Sequence, residues 1–429
     1  MADAVTNEEA DVAVPVTNWA GNVTFAARHI HRPASVDELR RIVGAATRIR
    51  ALGTGHSFNR LADTDAELVS LAGLPTEVVV DPVASTVTAG GGIRYGELAE
   101  HLHTRGYALH NLASLPHISV AGACATATHG SGQGNGNLAT AVRGIELVTA
   151  AGDLVALDRS DPDFAGVVVG LGGLGVVTSV TLAIEPTFEI AQYVYQGLSR
   201  DALADNWARI AASGYSVSLF TGWSSTDIDQ VWVKRRIDRD HPPVDADGWG
   251  LTAADGPRHP VPGMPVDNCT SQLGVAGPWH TRLPHFRLDF TPSSGAELQS
   301  EYLVPVADAV AALDAVAAIR DQIAPVLQIC EIRTIAADEL WLSMNHRRDG
   351  VAIHFTWIAD TAAVAPVIAA VEQALAPFAP RPHWGKLFGI APDELAGRYE
   401  RWNDFAQLLA RHDPAGVFRN DFLDRYFPR

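Results

Sequence analysis

At 429 residues, 47% hydrophobic and 19% charged, the chain has an ordinary globular composition and exceeds the reach of one hydrophobic core, so two domains are expected. A formal net charge of −17 disfavours nucleic acid and anionic membrane surfaces as partners. The first ten residues hold three acidic and no basic side chains, unlike a secretory leader, and Cys124, Cys269 and Cys330 form neither a disulfide framework nor a C-x-x-C pair. A cytoplasmic protein with no metal site is expected. Ser35 and Glu38 form an S-x-x-E capping box ahead of Leu39, Ile42, Val43 and Ala46 at helical spacing. Residues 49–52 then read as a short strand that delivers the chain into Gly53-Thr54-Gly55-His56-Ser57-Phe58. Glycines there allow close backbone approach, and successive N–H groups make a concave anion site. Residues 78–80 and 86–89 read as paired strands, and Gly90-Gly91-Gly92 turns into a helix carrying Leu98, Ala99 and Leu102, ended by Gly106.

A second polar segment follows. Ser114, Ser119, Thr126, Thr128 and Ser131 lie among Gly122, Gly130, His117 and His129, with almost no charge. On residue types alone this is either a long ordered loop or the lining of an extended polar ligand. Residues 167–184 are eighteen uncharged residues, long enough to raise a membrane-spanning question. Glycines at 170, 172, 173 and 175, followed by β-branched residues, make it a turn and a buried strand instead. The formal G-x-G-x-x-G at 170, 172 and 175 has a helix before it and a strand after it, the reverse of the nicotinamide-dinucleotide fingerprint.

The G-x-G-H-S turn, the glycine-rich turn before the helix, the S-x-x-G…T-x-T-H-G-S segment and G-x-L-G-V-V-T-S-V resemble the vanillyl-alcohol-oxidase family of flavoproteins. Within it, the resemblance to the alditol (xylitol) oxidases extends over nearly the whole chain, with residues 1–14 an extension without an assignable counterpart. The resemblance implies an α+β, two-domain flavoprotein: an FAD-binding domain (1–185), a substrate-binding cap with an antiparallel sheet (186–385) and a C-terminal segment returning to the first domain (386–429). It implies that Gly53, Thr54, Gly55, His56, Ser57, Phe58, Asn59, Ser114, Ser119, Gly122, Thr126, Ala127, Thr128, His129 and Val177 contact FAD, with His56 bonded covalently to the flavin as an 8α-histidyl link. His129 either orders its loop or touches the cofactor, and Cys124 reads as buried and inert.

In the middle of the chain, residues 215–223, 230–236, 283–290, 299–304, 326–334 and 351–357 read as strands, and 306–323 and 361–375 as helices, with a six-proline loop at 242–265. Glu331 and Arg333, and His354 and Thr356, sit two apart on strands flanked by apolar residues, so each pair shares a buried face that needs partners. The resemblance implies that Ser114, Glu331, Arg333, Thr356 and Lys386 contact a polyol at the flavin. We expect Lys386 and Arg333 to hold the reacting C1 hydroxyl, Lys386 to act as base with His354 positioning it, and Glu331, Ser114 and Thr356 to read the next hydroxyls. Asp413-Pro414, Phe418 and Asn420 resemble the end that closes against the FAD domain. The expected function is an FAD-dependent oxidase of sugar alcohols, with O2 as acceptor and H2O2 as product, acting as a monomer. An aldonolactone oxidase or dehydrogenase and a non-catalytic flavin-binding protein are the alternatives.

Overall fold

The computed structural model describes residues 16–290 and 296–429; residues 1–14, the extension, lie outside them. Ser35 caps α1 (Val36–Ala45) by accepting from Glu38 N–H, and the Glu38 carboxylate turns back onto Ala34 N–H. Strands β1 (His29–His31), β2 (Ile49–Leu52) and β3 (Glu67–Ser70) form a parallel sheet in the order β1-β3-β2. A five-stranded antiparallel sheet follows, built from β4 (Val78–Asp81), β5 (Thr86–Gly90), β6 (Val142–Val148), β7 (Leu154–Asp158) and β8 (Val176–Ala183) in the order β4-β5-β8-β6-β7. The glycine triplet leads into α2 (Tyr95–His103), and a Cβ at Gly91 would lie 2.5 Å from Val177 O, so that turn must pass β8 without a side chain. The uncharged run at 167–184 is a turn and then β8, in keeping with its glycines.

Arg50 on β2 ties this domain together. Its buried guanidinium donates to the carbonyls of Leu61, Leu171, Gly172 and Phe418, joining the glycine run to the chain after the first turn and to the C-terminal segment. Burial lowers its pKa to about 10, opposed by Asp413. Asp413 in turn accepts the N–H groups of Gly416, Val417 and Phe418, while the Asn420 amide donates to the carbonyls of Arg60, Leu61 and Asp63.

The second unit is an antiparallel sheet whose six long strands are β9 (Glu189–Leu198), β10 (Ser216–Thr221), β11 (Ile228–Arg236), β12 (Glu297–Pro305), β13 (Leu327–Ile335) and β14 (Gly350–Ile358), in the order β9-β11-β10-β13-β14-β12. Alternation along the strands separates two buried faces. On one, Tyr302 reaches Glu372 on α3 (Thr361–Leu375), which buries Val364, Val367, Ile368, Val371 and Leu375. With its 3-10 extension to Phe378 this helix is apolar and long enough to cross a membrane, but its branched apolar side chains Val364, Val367, Ile368, Val371 and Leu375 are buried inside the protein. The other face carries Gln299, Glu301, Glu331, Arg333, His354 and Thr356 and looks toward the first domain.

Two sequence expectations fail here. Residues 283–290 are not a strand: Pro284 has no N–H to give a ladder, and the His285 and Phe286 N–H groups both go to Ser114 O. The helix expected over 306–323 is split into Ala309–Ala317 and Arg320–Ile323, because Ile319 N–H bonds back to Val316 O, three residues away, and the tightened backbone returns Ile323 to the core.

Replacing Arg50 with Met removes the only donors those four carbonyls receive from this side chain while keeping its apolar stem. Urea unfolding of Arg50→Met is expected to show a loss of about 3–5 kcal/mol; a midpoint within experimental scatter of the parent would refute this role.

Candidate active site

A cavity of about 300 Å³ runs between the two units. It is lined by Gly53, Thr54, Gly55, His56, Ser57, Phe58, Asn59, Ser114, Ser119, Gly122, Thr126, Thr128, His129 and Val177, and at its other end by Glu331, Arg333, His354, Thr356 and Lys386. Ala127 is not among the lining residues. Its backbone is left-handed (φ 52°) and its methyl group is buried in the core, so it cannot be a cofactor contact through its side chain. Asn59 lines the cavity, but its amide is committed: it donates to Trp384 O and Lys386 O and accepts from Leu61 N–H.

The first turn works because β2 ends at Leu52 and Gly55 takes a left-handed φ of 70°. A Cβ at Gly53 would lie 2.6 Å from Ser119 Oγ, so the turn and the serine segment meet only because Gly53 has none. The Thr54 hydroxyl accepts from Ser119 N–H and lies 3.0 Å from His56 Nδ1. Trp19 stacks on the His56 ring at 5.2 Å. His56 Nε2 is buried with no hydrogen-bond partner among the described residues, and burial, then His117, lower the ring's pKa to about 4. A neutral imidazole with one nitrogen uncommitted, on a cradle of side-chain-free backbone, fits attachment and wrapping of FAD.

The far end is organised by strand register. Phe220, Glu331, His354 and Glu301 are cross-strand neighbours on β10, β13, β14 and β12. Glu301, which the sequence reading did not single out, is the hub. Its Oε1 accepts from Arg333 Nη2 at 2.6 Å and lies 3.2 Å from His129 Nε2; its Oε2 lies 2.5 Å from Lys386 Nζ. Lys386 Nζ is also 2.7 Å from His354 Nδ1, and His354 Nε2 is 3.1 Å from Thr356 Oγ1. Arg333 Nη1 donates to Ser114 Oγ at 3.3 Å, and Glu331 Oε1 lies 2.7 Å from His285 Nε2. Lys386 reaches the sheet from the turn after the short edge strand Arg381–Pro382, which pairs with β12: Phe58 N–H donates to Gly385 O, and Asn59 holds the carbonyls on either side.

Burial opposes charge on both acids, yet Lys386, Arg333 and His129 hold Glu301 well below the usual carboxylate range, and Arg333 and His285 do the same for Glu331. Burial lowers Lys386, with Glu301 opposing. Burial, aided by neighbouring Lys386, takes His354 down to about 4; burial and Lys234 do so for His285. Sequence reasoning also passed over His285, Lys234 and His383; for Glu301 the available signal was an acid inside the apolar run Gln-Ser-Glu-Tyr-Leu-Val.

Both imidazoles bind fewer protons folded than unfolded, so their contribution is complete above the unfolded pKa near 6.5 and is lost as pH falls toward 4, by up to about 3 kcal/mol each. Burial raises Asp338 to about 6, and this works the other way. Thermal melting measured from pH 7.5 to 4.5 should fall below pH 6.5; a flat profile would mean that these rings are charged in the fold.

Comparison with known proteins agrees with this geometry. Residues 27–158 match the FAD binding domain family, and residues 296–426 match the D-arabinono-1,4-lactone oxidase family. An alditol oxidase from a Streptomyces species is 53% identical, covering 96% of this chain and 99% of its own. An L-gulono-1,4-lactone dehydrogenase of Mycobacterium tuberculosis is 29% identical over 95% of this chain and 98% of its own. The crystal structure of cholesterol oxidase from Brevibacterium sterolicum superposes with a TM-score of 0.78 at 15% identity, covering 96% of each chain, and so shares the fold. The α+β flavoprotein architecture, the FAD-binding family match and the near full-length similarity together place the chain in the alditol oxidase family of FAD-binding oxidoreductases.

Proposed function

We propose that this protein is an FAD-dependent oxidase that converts the C1 primary alcohol of a polyol such as xylitol or sorbitol to the aldose, with O2 reduced to H2O2, and that His56 holds the flavin covalently. The observation that carries this reading is one continuous cavity with the His56 imidazole, whose Nε2 has no hydrogen-bond partner among the described residues, at one end and Ser114, Glu331, Arg333, His354, Thr356 and Lys386 at the other. A polyol offers only hydroxyls, and alternating donors and acceptors are what reads them.

Gly53 to Phe58 and the segment from Ser119 to His129 would hold the cofactor. When bound, FAD supplies the two-electron acceptor for the alcohol C–H bond and returns those electrons to O2. Burial lowers the Lys386 pKa, so its resting ammonium can give up a proton, and the neutral amine then takes the hydroxyl proton at Nζ and returns to the cation paired with Glu301. The ammonium so formed is stabilised by Glu301 Oε2 at 2.5 Å and by the His354 Nδ1 lone pair. With Nδ1 accepting, His354 carries its proton on Nε2 and donates to Thr356, which frees the Thr356 proton for a substrate hydroxyl. Arg333 donates to the developing alkoxide, and Glu331 and Ser114 hold the neighbouring hydroxyls. Burial of these groups excludes competing water.

The lactone reading draws on the D-arabinono-1,4-lactone oxidase match and the mycobacterial relative. A peroxide-coupled panel of polyols and aldonolactones separates the two. Turnover of xylitol and sorbitol is expected, with Lys386→Met slowing flavin reduction by about 10²–10⁴-fold. Turnover of lactones alone would overturn the substrate, and a Lys386→Met enzyme reduced at the parent rate would overturn the base. For the covalent link, a denaturing gel under ultraviolet light should show yellow fluorescence migrating with the polypeptide and none for His56→Ala. Free flavin at the dye front of the parent protein would exclude the bond.

A further inference from the structure

Lys234, on β11, is 1% exposed and lies behind the cavity wall. Its Nζ reaches Leu283 O at 2.5 Å, Pro284 O at 3.2 Å and His285 Nδ1 at 3.0 Å, three acceptors for the three donors of an ammonium. The other ring nitrogen of His285 faces the ionised Glu331 carboxylate at 2.7 Å. A carboxylate only accepts, so the proton of this neutral ring is on Nε2, Nδ1 must accept, and Lys234 must be the donor to it. The same short segment also holds a second group of the site: His285 and Phe286 N–H both donate to Ser114 O, at 3.2 and 3.3 Å. Thr270 Oγ1 adds a second bond to Pro284 O, beside that from Lys234.

We propose that Lys234 is a positioning residue of the polyol site, fixing His285 in the Nε2–H tautomer that donates to Glu331 and pinning the backbone that holds Ser114. It thereby holds two hydroxyl-reading groups, Glu331 and Ser114, on either flank of the Arg333 guanidinium. The proposal deepens the polyol-oxidase reading and rests on it for the identity of the substrate, but the tautomer can be measured without any substrate.

The test uses the full-length, FAD-loaded enzyme with ¹⁵N-labelled histidine, the His285 signals being assigned by their loss in His285→Gln. In the parent, His285 should show an Nε2–H, Nδ1-acceptor ring, and Lys234→Met should lose that preference. Lys234→Met should raise the KM for xylitol about 10- to 100-fold, the effect of losing a charge-assisted hydrogen bond, with kcat changed less than about threefold and flavin content unchanged. His285→Gln, which retains a donor for Glu331, should stay closer to the parent KM than Lys234→Met does. A parent ring protonated on Nδ1 would overturn the proposal even if Lys234→Met failed to fold. So would a Lys234→Met enzyme with parental tautomer and KM, or one that lost kcat alone. Failure of the parent enzyme to oxidise any polyol would refute the function, while the imidazole spectra would still decide the role of Lys234.

Discussion

Glu301 is a carboxylate with 1% of its side chain exposed, and the active-site end of the cavity depends on keeping it ionised. Desolvation alone would neutralise it; Arg333 at 2.6 Å and Lys386 at 2.5 Å prevent that. Such a cluster is a weak source of net stability, because apolar residues of equal volume can pack as well. What it supplies is a fixed field. One negative charge locates two cations on the same side of the cavity, and a further contact, with His129, comes from the glycine- and serine-rich segment of the other domain. The carboxylate therefore sets both where the cations stand and how the two domains register against each other.

The two halves of the cavity use different chemistry for a reason rooted in their backbones. The flavin side is built from turns whose glycines let N–H groups and small hydroxyls approach a ligand directly, with Gly53 and Gly91 leaving no room for a Cβ. Its lining offers main-chain N–H groups and hydroxyls and few charges. The cap side is built from long antiparallel strands, where side chains alone reach the cavity, every second residue pointing inward. Register then converts sequence spacing into geometry: Glu331 and Arg333 are neighbours along one strand, while Glu331, His354 and Glu301 are neighbours across three.

Much of this was legible in the sequence because it is local. The capping box at Ser35 and Glu38, the strand into Gly53, the turn before β8 and the helix Thr361–Leu375 follow from short-range patterning. The i, i+2 pairs on β13 and β14 announced a buried polar face. The hub of that face did not announce itself, since Glu301 is 32 residues from its nearest bonded partner, Arg333, and only strand order brings it beside His354. Lys234 and His285 were invisible for the same reason: one sits mid-strand, and the other lies in a segment whose alternation imitated a strand while its N–H groups were drawn away to Ser114. Ala127 shows what a motif leaves unsaid, since its left-handed backbone turns its side chain to the core and leaves only main chain to face a ligand.

The short clamp between the first turn and the last carries a mechanical consequence. Phe58 N–H bonds to Gly385 O and the Asn59 amide spans Trp384 O and Lys386 O, so the backbone bearing Lys386 is fastened to the residues that directly follow His56. Swinging the cap away as a rigid lid would break those bonds or drag the lysine out of its place beside Glu301. Pro260, Val261 and Phe286 at the cavity wall lie outside this clamp, so movement there would leave the lysine in place. The turn bearing His56 and the turn bearing Lys386 are thus joined by three main-chain acceptances, which fix the spacing between the two ends of the cavity.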